Sequence, residues 1–141
     1  MYILDTDHLG ILQRQRGPEF DRLSNRIAAT EVTDIYVTIV SFHEQVSGWT
    51  KYVKGSQDQS KIVIGYLRLE KILCDFSESQ VLPYSLSASE IFDDIKRQKI
   101  RIPTMDLRIA SIAIAQRMIL ATRNTVDFEQ IPGLELQDWT Q

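Results

Sequence analysis

The chain has 141 residues and a mass of 16.3 kDa, enough for one sizeable core, since a chain of this size buries roughly 68% of the surface its unfolded form exposes. Nineteen acidic residues against sixteen basic ones leave a net charge of −3, which excludes a sequence-blind polyanion binder. A hydrophobic content of 43% and a charged content of 25% exclude a disordered tail, a collagen-like repeat and a coiled coil. The lone Cys74 forms no internal disulfide, and no Cys/His spacing suits zinc; it reads as a buried helix residue. No basic region leads into an apolar stretch at the N-terminus, and no apolar run approaches the roughly 18 residues of a membrane span. The expectation is a single cytoplasmic domain, residues 1–141, with no membrane contact.

In chain order, Met1 to Leu4 is an apolar stub that predicts a short first strand, with Asp5 at its carboxyl end. Asp34 to Val40 (DIYVTIV) is a β-branched run too apolar for a one-sided sheet and predicts a central strand covered on both faces. Phe42, Val46, Trp49 and Val53 then recur at helical spacing from Ser41 to about Val53. Lys54 to Ser60 (KGSQDQS) reads as a turn between helices. From Lys61 to Phe76 the apolar residues Ile62, Tyr66, Leu69, Leu73 and Phe76 step by four and three, in a helix that Gly65 weakens slightly. Trp49, Tyr52 and the Ile62, Tyr66, Leu69 stripe are assigned to the core. Val81 to Tyr84 reads as an edge strand because of Pro83. A Ser87…Glu90 capping pattern introduces a helix from Glu90 to Lys99, and Asp106 to Arg117 is a helix apolar on most sides. Met118 to Thr122 and Leu134 to Leu136 complete five strands. Strands alternating with helices predict an α/β fold with a mostly parallel sheet; no linker or internal repeat divides it.

Ligands of such sheets bind beyond the carboxyl ends of the strands. Asp5, Glu44, Asp106 and Asp127 stand at strand ends or helix starts, where they can share one rim. Gathered carboxylates repel one another unless a cation neutralises them, and oxygen donors without His or Cys suit Mg²⁺ or Mn²⁺. Such an ion activates water and stabilises charge on a phosphodiester, which suggests a metal-dependent nuclease. Each acid also has a structural reading. Ser41 to Glu44 is itself a capping box, Asp106 favours a helix N-terminus through the dipole, and Asp127 suits a solvated loop. Asp5 has the least structural reason to stand where it does, and the joint arrangement carries the inference.

The segments YILDTDHL, TIVSFHEQVSG, IPTMDLRIASIA and TRNTVDFEQIPGLELQDW resemble the four motif blocks of PIN-domain ribonucleases, specifically the VapC-type toxins of bacterial toxin-antitoxin pairs. The resemblance runs from Tyr2 to Trp139 in the family's order. It implies a three-layer α/β/α sandwich and an endoribonuclease that uses Mg²⁺ or Mn²⁺. Its catalytic and metal-holding acids fall on Asp5, Glu44, Asp106 and Asp127, and its supporting residues on Thr6, Thr122 and Asn124. It also implies a cognate antitoxin as partner, with an amphipathic tail cradled by helices of the middle region, and a homodimer. Two positions depart from the family. Arg123 stands where Asn is common, and Asp7 replaces the usual Asn after LDT; Asp7 reads as a helix cap, and secondarily as a pocket residue.

A carboxylate pocket repels a phosphate backbone, so bases are needed nearby. Between Lys96 and Arg123 stand seven bases and one acid, and Lys96, Arg97, Lys99, Arg101 and Arg123 are the RNA-binding candidates; the alternative is a solvated helix face and loop. His8 and His43 are assigned surface or packing roles. Two rival functions remain at this level. Asp5 and Asp7 also resemble the DxD of haloacid-dehalogenase-like phosphatases, although Leu9 and the missing later acidic pair do not fit. A PIN-like module that binds RNA or a partner without cleaving is the other.

Overall fold

The computed structural model describes residues 1–141. Five strands, β1 (Tyr2–Leu4), β2 (Ile35–Thr38), β3 (Val81–Leu82), β4 (Ile119–Ala121) and β5 (Leu136–Gln137), form one all-parallel sheet in the order β3-β2-β1-β4-β5. Seven helices join them: α1 (Thr6–Arg14), α2 (Pro18–Ala28), α3 (Ile39–Gly55), α4 (Gln59–Ser77), α5 (Leu86–Arg97), α6 (Thr104–Gln116) and α7 (Thr125–Phe128). The chain leaves β1 toward β2 and β3, then returns to the other side of β1 for β4 and β5. The topological switch point therefore lies between β1 and β4, where doubly wound sheets open a crevice.

Side chains alternate across each strand, and the two faces fill separately. Ile3 and Leu120 join Leu107, Ile109, Ile112 and Ile95 in a core beneath α5 and α6. Leu4, Val37 and Ala121 point the other way, into a core with Ile11, Leu23, Ile72 and Phe76 of α1, α2 and α4. The result is a three-layer α/β/α sandwich. The second core has 8 buried residues against 14 in the first, and the underfilled face carries an apolar groove of about 650 Å³ between α1, α2 and α4. α6 is buried on several sides, as its composition predicts, and its one buried hydroxyl, Ser111, donates to the Leu107 carbonyl at 2.7 Å.

Several local expectations are corrected. β2 stops at Thr38, and Ile39 and Val40 open α3, because the buried Thr38 side chain accepts the Ser41 amide at 3.0 Å and caps the helix there. With Thr38 as cap, no Ser41–Glu44 capping box forms, and Glu44 is left for other duty. Asp7 is not a cap either: Asp5 caps α1, its Oδ1 accepting the Thr6 amide at 2.7 Å. α5 starts at Leu86 under the Ser85 side chain, so Ser87 and Glu90 lie inside the helix. α2 has no counterpart among the predicted elements, although Pro18 at its first turn and Phe20, Leu23 and Ile27 at helical spacing carried a signal. Cys74 is exposed, as are Tyr66 and Leu73, whereas Trp49, Tyr52, Ile62 and Leu69 are half-buried. α4 meets α3 through Gly65 and the sheet through Ile72 and Phe76, which leaves its other faces open.

Candidate active site

The four predicted acids and their supporting residues meet at the carboxyl ends of β1, β2 and β4. Asp5 follows β1 directly and is only 4% exposed. Its backbone amide donates to Ala121 of β4 at 2.9 Å, and its Oδ2 accepts the hydroxyl of Thr122 at 2.7 Å. Thr122 is fully buried, and its Oγ1 also accepts the Asn124 amide at 3.0 Å. On the β2 side, the Thr6 hydroxyl donates to Glu44 Oε1 at 2.9 Å and lies 3.0 Å from Ser41 Oγ. α3 thereby presents Glu44 toward the start of α1. On the β4 side, the Asn124 amide group donates to Asp106 Oδ2 at 3.3 Å and to Asp127 Oδ2 at 3.0 Å. One Asn thus ties the first turn of α6 to α7.

The electrostatics follow from this crowding. Burial, then the neighbouring Asp7 charge, pushes the Asp5 carboxyl up to about 7. Burial, then Glu44 and Asp127, raises Asp106 to about 6. Asp7 goes the other way. Burial works to raise it, but the His8 hydrogen bond at 2.7 Å and the Arg123 amide at 2.8 Å outweigh that and hold it low. Asp7 is therefore a structural anchor beside the pocket.

No lysine or arginine forms an ion pair with Asp5, Glu44, Asp106 or Asp127; the lysine and arginine ion pairs of the molecule are Lys71–Asp75, Arg97–Asp94 and Arg123–Glu19. Uncompensated oxygen donors of this kind fit a hard divalent cation. The fit is an open one: no three acidic, His or Cys side chains converge tightly enough to enclose an ion.

The basic candidates divide. Arg97 is paired with Asp94 at 2.6 Å, and Arg123 with Glu19 of α2 at 3.0 Å, at the end of its short loop. Lys96 lies over the Phe92 ring at 5.5 Å. Lys99, in the left-handed conformation just after α5 (φ 59°), and Arg101 are exposed and in no ion pair. Of the histidines, His43 is exposed and His8 fully buried. Residues that the sequence reading passed over are Thr38 and Ser41, both fully buried polar groups; their place inside the apolar run VTIVSFH was the available signal.

No protein-family model matches the chain. The chain is 32% identical to ribonuclease VapC2 of Rickettsia felis over 139 residues, which cover 99% of this chain and 98% of that protein. In three dimensions it is similar to the DNA-bound VapBC of Salmonella typhimurium, with a TM-score of 0.78 at 20% identity, covering 98% of this chain and 97% of that one. It is also similar to VapBC-1 of nontypeable Haemophilus influenzae, with a TM-score of 0.76 at 23% identity, covering 99% and 98%. Identity sustained along the whole length, on a parallel sheet whose switch point gathers Asp5, Glu44, Asp106 and Asp127, places the chain in the VapC ribonuclease family.

Proposed function

We propose that this chain is a Mg²⁺- or Mn²⁺-dependent endoribonuclease, the toxin of a toxin-antitoxin pair, that hydrolyses RNA phosphodiester bonds at Asp5, Glu44, Asp106 and Asp127. The observation that carries the reading is a group of acids at the β1/β4 switch point with no base to neutralise it, in which burial and mutual repulsion raise Asp5 and Asp106. A bound Mg²⁺ or Mn²⁺ supplies positive charge against the scissile phosphate and lowers the pKa of the attacking water.

The protein's own part is placement. Thr122 and the Thr6 amide hold both oxygens of Asp5, Thr6 aims Glu44, and Asn124 sets Asp106 against Asp127. Lys99 and Arg101 precede Asp106 in the chain and are free to meet phosphates on the way in. Arg97, Arg123 and Lys96, each engaged by a neighbour, are the further candidates for contact with RNA. Neither histidine serves as base, because His8 has no exposure and His43 lies on the exposed side of α3.

The apolar groove between α1, α2 and α4, lined by Leu9, Leu12, Phe20, Ile27 and Phe76, supports an antitoxin with an amphipathic segment as partner. Exposed Val63, Ile64, Tyr66 and Leu67 of α4 support a homodimer. No helix is long and apolar enough to cross a membrane, consistent with action on RNA in the cytoplasm. The phosphatase reading loses its general acid, because Asp7 is tied to His8 and to the Arg123 amide.

Incubation of the purified protein with single-stranded RNA tests the reading. Cleavage is expected with Mg²⁺ or Mn²⁺, and is expected to vanish with EDTA, Asp5→Asn or Asp106→Asn. Cleavage that survives all three changes overturns it.

A further inference from the structure

His8 is fully buried, yet both its ring nitrogens are engaged. The backbone amide of Trp139 donates to Nε2 at 3.4 Å. An amide N–H has no acceptor capacity, so Nε2 carries no proton and the neutral ring bears it on Nδ1. That Nδ1–H points at Asp7 Oδ1, 2.7 Å away. The other oxygen of Asp7 accepts the Arg123 amide at 2.8 Å and lies 3.4 Å from Thr122 Oγ1. The next residue, Asn124, carries the side chain that bonds Asp106 and Asp127.

Trp139 is itself pinned. Its ring meets Tyr2 edge-on at 4.9 Å, its indole N–H donates to Gln137 at 2.9 Å, and Arg26 of α2 covers it at 5.4 Å. Gln137 in turn accepts the Thr122 amide through its backbone carbonyl at 2.9 Å. The histidine is thus clamped on one side by the end of the sheet and delivers its only proton on the other. We propose that His8, fixed as its Nδ1–H tautomer by the Trp139 amide, is a positioning residue that holds Asp7 on the Arg123 amide and so sets the Thr122–Asn124 loop that carries Asn124 to Asp106 and Asp127.

The arrangement gives the unusual Asp7 a purpose. A second carboxylate two residues from Asp5 adds repulsion to the acid group unless it is turned away and satisfied. His8 supplies the donor that turns it. Without that donor, Asp7 is left with one strong partner and is free to swing toward Asp5, while the loop loses an anchor. Partners of this outer kind typically cost a site tenfold or more when removed.

Three measurements test this; only the kinetic one rests on the ribonuclease reading. Long-range nitrogen–proton NMR of the ¹⁵N-labelled wild type is expected to show His8 as the Nδ1–H tautomer; an Nε2–H tautomer overturns the proposal whether or not any variant folds. In His8→Leu the Arg123 amide is expected to exchange with solvent at least about tenfold faster, and unchanged exchange overturns it. In the kinetic arm, His8→Leu lowers kcat for RNA about tenfold with KM within about twofold, while His8→Asn, which keeps an N–H at the δ position, recovers most of the loss. Equal losses in the two variants mean that the ring only fills space, and overturn the proposal. A wild type that cleaves no RNA defeats the ribonuclease reading instead, and leaves the tautomer and the exchange to decide the role of His8.

Discussion

The hydroxyl of Thr122 donates to Asp5 at 2.7 Å across 117 positions of sequence, and so joins the carboxyl ends of the two strands that flank the switch point. Both residues are buried, and the hydroxyl is the only side-chain donor that reaches an Asp5 carboxylate oxygen, the Thr6 amide holding the other one. Losing it leaves a buried carboxylate oxygen unpartnered, which costs about 1–3 kcal/mol, more for a charged group. Thr122→Val, nearly the same shape, is expected to lower stability by about that amount and to cut RNA cleavage more steeply than it cuts stability. Chemical denaturation beside a cleavage assay checks this; a variant with wild-type rate would show that Asp5 needs no such hold.

Stability of the metal-free protein should fall with rising pH. The Asp5 carboxyl sits at about 7 in the fold against an ordinary 3.8, so the folded state prefers the protonated acid. Its contribution is complete below pH 4 and is lost as pH rises through 7, on the order of 4 kcal/mol in the limit. Asp106, raised to about 6, acts in the same direction. Asp7 and Asp138 are lowered, and their opposite effect falls at more acid pH. Thermal melts in EDTA from pH 5 to pH 8 should therefore drop, Asp5→Asn should flatten the drop, and added Mg²⁺ should restore stability at pH 8. A wild-type melt that is level across that range refutes the assignment.

Neutralising Lys99 and Arg101 together is expected to weaken RNA binding in a salt-dependent way. For single strands each lost phosphate contact reduces the slope of log K against log salt by about 0.7. The double substitution Lys99→Gln, Arg101→Gln should flatten the slope by up to about 1.4, measured by fluorescence anisotropy with the Asp106→Asn background blocking cleavage. Arg123→Gln, already occupied by Glu19, should change it less. Unchanged affinity at low salt in the double variant would remove these residues from the RNA path.

Gly65 offers a prediction in which helix propensity and packing disagree in sign. In an isolated helix, Gly→Ala gains about 1 kcal/mol. Here a Cβ at position 65 would collide with Val53 Cγ2 and stand 3.2 Å from the Tyr52 ring. Val53 is stiff and cannot swing aside. Gly65→Ala is therefore expected to destabilise the protein by about 1–3 kcal/mol, read by denaturant midpoint; a stabilised variant would mean that α3 and α4 separate easily.

The same glycine shows where sequence reading stops. Periodicity finds the helix around Gly65 and prices the residue as a small defect, because a one-dimensional pattern has no term for the approach of a second helix. Tyr66 was assigned to the core by the same pattern and is 60% exposed. Its spacing is right for a helix, and only the direction from which α3 and the sheet arrive decides which stripe is covered. The end of β2 is another case: VTIV is β-branched throughout, and nothing local distinguishes its strand half from its helical half except Thr38, whose capping role needs the backbone to have turned.

Composition had offered nineteen acids against sixteen bases, a balance that says little by itself. Local chemistry went further, because alternating apolar strands and amphipathic helices require a covered parallel sheet, and a parallel sheet has a carboxyl rim where Asp5, Glu44, Asp106 and Asp127 belong. These are consequences of side-chain period and of strand direction, both written in the order of residues. The tertiary structure alone decided the partnerships: that Asp5 is the cap of α1, that Asp7 turns away to His8 and Arg123, and that Asn124 spans two acids. The Asp7–Arg123 bond spans 116 positions and the Asn124–Asp106 bond 18, and such contacts depend on how strands register and helices dock, which packing over the whole chain sets rather than any segment of it.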